Sequence, residues 1–296
     1  IYVGICYNKV KKCFCVYEEC ESVNNNEQYK VKSYYIAYFD ILGYKAFFEN
    51  QENDIIEFLH NVVDMASDVI KKTDSNRVVF GEQFKIKTFS DNFIIMLEET
   101  VEHNDYDCLK SIGYILALLQ LRFLEKYSIL IRGGITKGQA FINNDIVFGE
   151  GLIKAVSLEN DANFPRIILD STRFSKEICD ELCEKCVAID DDGKYYIDMY
   201  SVLGSEVYYD AEFVDADIHI TVLHDNLMRL IRKNGKYNRQ VTDLRKIAIA
   251  ERTISKYLWA LIKYNDYCNI FGFEKLLIKY GLEVYPRLMK TEIILR

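Results

Sequence analysis

Positive charge is in short supply in this chain: 37 Lys and Arg stand against 45 Asp and Glu, a net charge of −8 over 296 residues. A protein that holds duplex DNA by neutralising phosphates carries the opposite balance, so nucleic acid is not expected as a partner. No stretch approaches the roughly 18 consecutive apolar residues that a bilayer-spanning helix needs, so no membrane anchoring is expected. The apolar start, residues 1–6, is interrupted at once by Asn8, Lys9, Lys11 and Lys12, and no secretory h-region forms. The motifs G-x-x-x-x-G-K-S/T, G-x-S-x-G and G-x-G-x-x-G are all missing. The histidines are only four, His60, His103, His219 and His224, and no two of them have the three- or four-residue separation of a helical metal pair. There is no internal repeat and no low-complexity tract beyond a short asparagine run.

Apolar residues, by contrast, make up half the chain, with 17 Phe and 22 Tyr among the aromatics, far more burial potential than a disordered chain carries. The length allows one large domain or two small ones. Nine cysteines, an odd number scattered through a long chain, indicate reduced thiols and a cytoplasmic protein. Cys6, Cys13, Cys15 and Cys20 lack paired C-x-x-C spacing, whereas Cys179, Cys183 and Cys186 fall at helical i, i+4, i+7 positions. Three thiols on one face lack a fourth zinc ligand nearby, and ordinary buried thiols are the expectation. The chain opens on Ile1 rather than Met, as a fragment or a chain with translated upstream sequence does.

Three regions are expected: an N-terminal segment and linker (1–33), a mixed domain (34–209) and a helical extension (210–296). Residues 34–39 form a β-prone apolar run ending at Asp40. Ile55, Phe58, Leu59, Val62, Met65, Ala66 and Val69 repeat with helical spacing. Strand material follows at 78–80, and 85–97 reads as a hairpin with its tip at Ser90, Asp91 and Asn92. Leu109, Ile112, Leu116, Leu119 and Phe123 mark a helix, 128–136 a strand, and 143–145 a turn into another strand. A helix over 151–159 and a strand over 166–170 complete the order. This is an α+β pattern whose opening part matches the ferredoxin-like β-α-β-β-α-β split plan, with helices on one face of a sheet. Beyond about residue 209, Leu227, Leu230 and Ile231 mark one amphipathic helix. A longer one follows, from Leu244 to Tyr264.

Asp40 and Asp91 are the sharpest pair. Asp40 ends a strand expected to be central; Asp91 tips a hairpin that the split plan lays beside it, so the two carboxylates can converge. Paired carboxylates with a free carbonyl suit Mg²⁺ or Mn²⁺, and two such ions about 4 Å apart can activate a hydroxyl and hold a triphosphate. They also let an acidic protein bind an acidic substrate. Each aspartate taken alone is equally an ordinary turn or cap residue.

Phe39-Asp40-Ile41-Leu42-Gly43-Tyr44 resembles the first metal motif of class III nucleotidyl cyclases, and Lys85-Ile86-Lys87-Thr88-Phe89-Ser90-Asp91-Asn92 resembles their second. Ile131-Arg132-Gly133-Gly134-Ile135-Thr136-Lys137-Gly138 is similar to the strand that follows. Val147-Phe148-Gly149, Phe164-Pro165-Arg166-Ile167 and the helical run from Lys256 to Asn265 resemble most closely the Pycsar-type pyrimidine cyclases of bacterial anti-phage defence. The resemblance covers roughly residues 34–268. It implies a class III cyclase-like core with extra strands, and two Mn²⁺ or Mg²⁺ ions held by Asp40, Asp91 and the Ile41 carbonyl. It also implies a homodimer, with attack of the ribose 3′-hydroxyl on the α-phosphate giving a 3′,5′-cyclic nucleotide and pyrophosphate. Lys87 falls where the base is read and suits a base acceptor, such as N1 of adenine or O2 or O4 of a pyrimidine, though an exposed strand lysine is an equal reading. Tyr44 would line the substrate.

The asparagine and arginine of purine cyclases are Ile153 and Ser157 here, and Glu150 stands for their F-G-D aspartate. Another cation is then required; Arg166 and Arg132 are the candidates, Arg166 in a catalytic role and Arg132 on the substrate, and Arg166 is equally a strand-surface residue. Gly133 and Gly134 permit close backbone approach or mark a bulge. Residues 190–193 (Asp-Asp-Asp-Gly) read as a solvated hairpin turn. UTP is favoured over CTP and ATP. The alternatives are a non-catalytic cyclase-like module that binds nucleotide or a protein partner, and a purine cyclase.

Overall fold

The computed structural model describes residues 30–43, 60–61, 63–64, 67–69, 84–183, 185–204, 216–239 and 244–278. Among these residues eight strands build one sheet: β1 (Lys32–Ile41), β2 (Phe84–Phe89), β3 (Asn92–Glu98), β4 (Ile131–Ile142), β5 (Val147–Phe148), β6 (Ile167–Leu169), β7 (Val187–Ile189) and β8 (Tyr195–Ile197). Five labelled helices accompany them: α1 (Asp105–Tyr127), α2 (Glu150–Ala162), α3 (Lys176–Leu182), α4 (Ala216–Arg239) and α5 (Leu244–Ile270). The strand order is β2-β3-β1-β4-β6-β8-β7, with β5 paired to β4. Its first four strands run antiparallel in the order of the split plan, so the expected α+β core is present and β1 is central.

Alternation along β1 decides what covers each face. Tyr35, Ala37 and Phe39 join Phe93, Ile95 and Leu97 of β3 in a core under α1; Tyr34, Ile36 and Tyr38 join Ile94 and Met96 on the other side. The helical residues Val63 and Val69 pack on the same side as α1, as the split plan requires. The second face is not left open, because Ala155 and Leu158 of α2 cover it. Helices therefore lie on both faces, beyond the one-faced arrangement expected of the opening part.

Element ends follow local chemistry. The Asn104 side chain accepts from Asp107 N at 2.9 Å and starts α1. Ser128, in the left-handed region at φ 53°, closes it. With residues 128–130 occupied in leaving that helix, β4 begins at Ile131 rather than 128, then runs on to Ile142. Its turn forms as expected, the Asn143 side chain accepting from the N–H groups of Asp145 and Ile146. Helix α3 stops at Leu182, so Cys179, Cys183 and Cys186 do not share one helical face. Burial pushes the Cys179 and Cys186 thiols up to about 11 and about 12. Helix α4 docks on the end of α1, where Asn226 donates to the Leu124 and Glu125 carbonyls. Helix α5 packs alongside α4.

Close approach is what Gly133 and Gly134 supply. A Cβ on Gly133 would strike the Tyr38 carbonyl oxygen, and one on Gly134 would strike Leu158 of α2. Gly134→Ala is therefore expected to push α2 off the sheet and to destabilise the fold by ~1–3 kcal/mol, read as a lowered thermal midpoint.

Asp198, just after β8, accepts from Tyr200 N at 3.0 Å. Burial pushes its carboxyl up to about 6 from 3.8, the Tyr200 N–H and Lys263 offsetting part of the effect. A value raised on folding means stability is full below about pH 4 and falls as pH rises through about 6. Asp198→Asn keeps an acceptor for Tyr200. It is expected to add ~1–2 kcal/mol near pH 7.5 and nothing near pH 4, measured by thermal melts at the two pH values.

Candidate active site

The site is built at the end of the sheet where β1 stops. Residues sharing the α2 side of neighbouring strands fall into a row: Asn92 of β3, Asp40 of β1 and Arg132 of β4 are register partners. The β2–β3 hairpin turns through Ser90, whose φ of 57° makes the tight reversal. This brings Asp91 against β1, so that Ile41 N donates to the Asp91 carbonyl at 3.1 Å. Asn92 then ties the corner together. Its amide donates to Asp91 Oδ1 at 3.2 Å, and its Oδ1 accepts from the Tyr38 hydroxyl at 2.6 Å. Asp40 and Asp91 thus stand side by side at the sheet mouth, on a central strand and a backbone-anchored hairpin.

Arg132 bridges two carboxylates. Its Nε and Nη2 donate to Asp40 Oδ1 and Oδ2 at 3.4 and 3.0 Å, and Nη2 also pairs with Glu159 of α2. Glu159 is buried; burial, then the negative charge of Asp40, raises its pKa, while Arg132 and Lys256 oppose the rise. The Tyr38 phenol is likewise raised, by burial and by the charges of Glu159, Asp40 and Asp91. Three carboxylates therefore act on one phenol, and two of them, Asp40 and Glu159, hold one guanidinium.

Sequence reasoning missed Glu159, although the signal exists. Ala155, Leu158 and Ala162 make the inward stripe of α2, and Glu159 occupies the i+4 position of that stripe. It also missed α5 as a wall of the site. The charge of Lys256 acts on Asp40 and Glu159, and the Tyr257 hydroxyl lies 3.6 Å from where a Cβ on Gly43 would be. Gly43 sits at φ 81° in the turn after β1.

The remaining expected residues are dispersed. Lys87 lies on β2, on the Asp40 side of the sheet, half-buried, and its Nζ donates to the Asn144 carbonyl at 2.8 Å. Tyr44 lies outside the described residues, as do the strand expected at 78–80 and the cysteines at 6, 13, 15 and 20. Ile153 and Ser157 are both exposed, on the outer side of α2. Arg166 is fully buried, with its guanidinium surrounded by the protein's own acceptors. Nε donates to the Ala162 carbonyl at 3.1 Å, Nη1 pairs with Asp190 and Asp192, and Nη2 with Asp192. The Phe164 and Trp259 rings stack near it with centroids 5.9 Å apart. The strand-surface reading of Arg166 is thereby corrected, and its donors do not face the Asp40–Asp91 corner. The reading of residues 190–193 as a solvated turn holds for Asp191, Asp192 and Gly193, which are exposed, and is corrected at Asp190. The hairpin turn is there, but Asp190 is buried, because it also accepts from Trp259 Nε1 at 2.8 Å and pairs with Lys263 at 3.0 Å.

Among the described residues, no group of three or more His, Cys, Asp and Glu side chains is arranged to hold a metal ion. The donor chemistry at the mouth still suits a hard cation. A carboxylate offers about four lone-pair sites, Arg132 takes two on Asp40, and Asp91 shares one oxygen with Asn92. Asp40 and Asp91 are the residues that would hold such an ion, with the Ile41 carbonyl as the third donor expected from the sequence. None of the described helices is long and apolar enough to cross a membrane.

Comparison with known proteins completes the description. No family's sequence profile matches the chain, and no curated protein sequence matches it. Structurally the chain is similar to the adenylyl cyclase CyaB from Pseudomonas aeruginosa, at 14% identity over 57% of this chain and 94% of that one, with a TM-score of 0.43. It is also similar to the catalytic core of a rhodopsin-guanylyl cyclase with converted specificity in complex with ATPαS, at 14% identity over 58% and 98%, TM-score 0.42. A third similarity is to a class III adenylyl cyclase-like ATP-binding protein from Pseudomonas aeruginosa, at 11% identity over 62% and 41%, TM-score 0.39.

Proposed function

We propose that this chain is a nucleotidyl cyclase of the Pycsar kind. It converts a pyrimidine nucleoside triphosphate, UTP before CTP, to a 3′,5′-cyclic nucleotide and pyrophosphate in anti-phage defence, and works as a homodimer. The observation that carries the reading is the corner at the sheet mouth, where the Ile41 N–H to Asp91 carbonyl bond sets Asp91 beside Asp40. Asp40 and Asp91 are the residues that would hold Mn²⁺ or Mg²⁺; such ions, when bound, would supply charge neutralisation and make the ribose hydroxyl a better nucleophile. Arg132 fixes the rotamer of Asp40, and Glu159 fixes Arg132 in turn. Lys87 donates to the carbonyl oxygens of a pyrimidine by exchanging its bond to Asn144. The protein's share is positioning and electrostatics.

A second reading has its own observation. The Arg132 guanidinium already neutralises Asp40 and Glu159, as it would in a cyclase-like module that binds nucleotide without turning it over. The deciding experiment incubates purified protein with UTP, CTP, ATP and GTP separately plus Mn²⁺, beside Asp40→Ala and Asp91→Ala, with mass-resolved product detection and a pyrophosphate assay. One cyclic nucleotide, absent from both variants, supports the cyclase and names its base. Metal-dependent binding without pyrophosphate release from any of the four supports the module.

A further inference from the structure

Catalysis on a polyphosphate needs a cation to receive it, and the positions Ile153 and Ser157 offer none. Among the described residues, the cations at Asp40 and Glu159 are Arg132, paired with both, and Lys256, whose charge acts on both. Arg132 is held by the two carboxylates. The next cations along α5 and β6 are committed elsewhere, Lys263 to Asp190 and Arg166 to Asp190 and Asp192. Lys256 differs: it is half-buried against the site and, among the described residues, has no carboxylate within ion-pair distance.

We propose that Lys256, delivered by the C-terminal helix α5, is the side chain that receives the triphosphate of the substrate at the Asp40–Asp91 corner. The inference rests on the nucleotidyl cyclase reading and adds a substrate contact to it. Lys256, Trp259 and Lys263 follow one another at i, i+3 and i+7, and so share one face of α5. The helix is anchored next to Lys256 and over the two turns that follow it. Tyr257, its neighbour, rests its hydroxyl against Gly43 in the turn after β1, and Trp259 and Lys263 grip Asp190 in the β7–β8 turn. The helix is thus fixed while the lysine, on a flexible four-carbon stem, can reach. Burial and the like charges of Arg132 and Arg252 disfavour its ammonium, outweighing the pull of Asp40 and Glu159. An arriving polyphosphate supplies the counter-charge that the protein leaves out. Arg252, exposed one turn earlier, adds to the positive potential at the entrance.

The test is calorimetric binding of 3′-deoxynucleoside triphosphates with Mn²⁺. These probes lack the attacking hydroxyl and so cannot be cyclised. Wild type, Lys256→Gln and Lys256→Arg are compared, with the matching nucleoside monophosphates as reference and thermal midpoints as a check on folding. Lys256→Gln is expected to weaken the triphosphate about tenfold or more, to leave monophosphate affinity and the midpoint unchanged, and to be largely rescued by Lys256→Arg. Equal triphosphate affinity in wild type and Lys256→Gln overturns the assignment while leaving the cyclase reading intact. Equal weakening of monophosphate and triphosphate also overturns it, since the loss is then not at the outer phosphates. If wild type binds no triphosphate at all, the cyclase reading falls and the assignment falls with it.

Discussion

Asp91→Ala is expected to abolish cyclic nucleotide formation, by about a thousandfold or more, in a protein that still folds. The size follows from removing one of the two carboxylates that, on the proposed function, would hold the charge-neutralising ions. Losing ~4 kcal/mol of transition-state stabilisation corresponds to roughly three decades in rate. The fold survives because the structural work of this residue is done by its backbone. The carbonyl that accepts from Ile41 N remains, and among the described residues the side-chain bond lost is that from Asn92 at 3.2 Å. Mass-resolved product detection and a melting curve on the same preparation check both halves. Activity within tenfold of wild type would remove the corner from the mechanism. Asp40→Ala is the less clean partner experiment, since it also releases Arg132 from one of its two carboxylates.

Arg166→Ala is expected to act in the opposite sense, on stability first. Truncating it leaves Asp190 buried with one cation fewer, and Asp192 without its fork-shaped partner. Breaking a buried pair by removing one member costs about 3–5 kcal/mol, or a fall of about 10 °C in the thermal midpoint for a domain of this size. Lysine, a point charge, does not reproduce the bonds to the Ala162 carbonyl, Asp190 and Asp192 together, so Arg166→Lys is expected to recover only part of the loss. An unchanged midpoint with lost activity would restore Arg166 to the substrate side.

The two aspartates were legible because their signals are local. A β-prone run that stops on Asp40 and a polar tip at Ser90 to Asn92 need only alternation and turn chemistry, and the split plan then places one beside the other. The α1 stripe at Leu109, Ile112, Leu116, Leu119 and Phe123 was legible for the same reason, and all five are buried. What could not be read were pairings across the fold. Nothing in Phe164-Pro165-Arg166-Ile167 says that an acidic turn 24 residues on will close over the guanidinium. Nor does the period of α5 say which wall of the sheet its Lys256–Trp259–Lys263 face will meet. Ion pairs between elements depend on the packing of whole layers, and a single sequence carries that information only as charges placed on otherwise apolar stripes, as at Glu159.

Helix α5 also sets an order in time. A chain made from its N-terminus displays Asp40, Asp91 and Arg132 well before residues 256–263 leave the ribosome. Until they do, Asp190 lacks Trp259 and Lys263, and Gly43 lacks the Tyr257 hydroxyl. The α5 wall of the site is therefore added only after residues 256–263 have been made. Interrupted synthesis would leave fragments that hold the aspartates but not the wall that packs beside them.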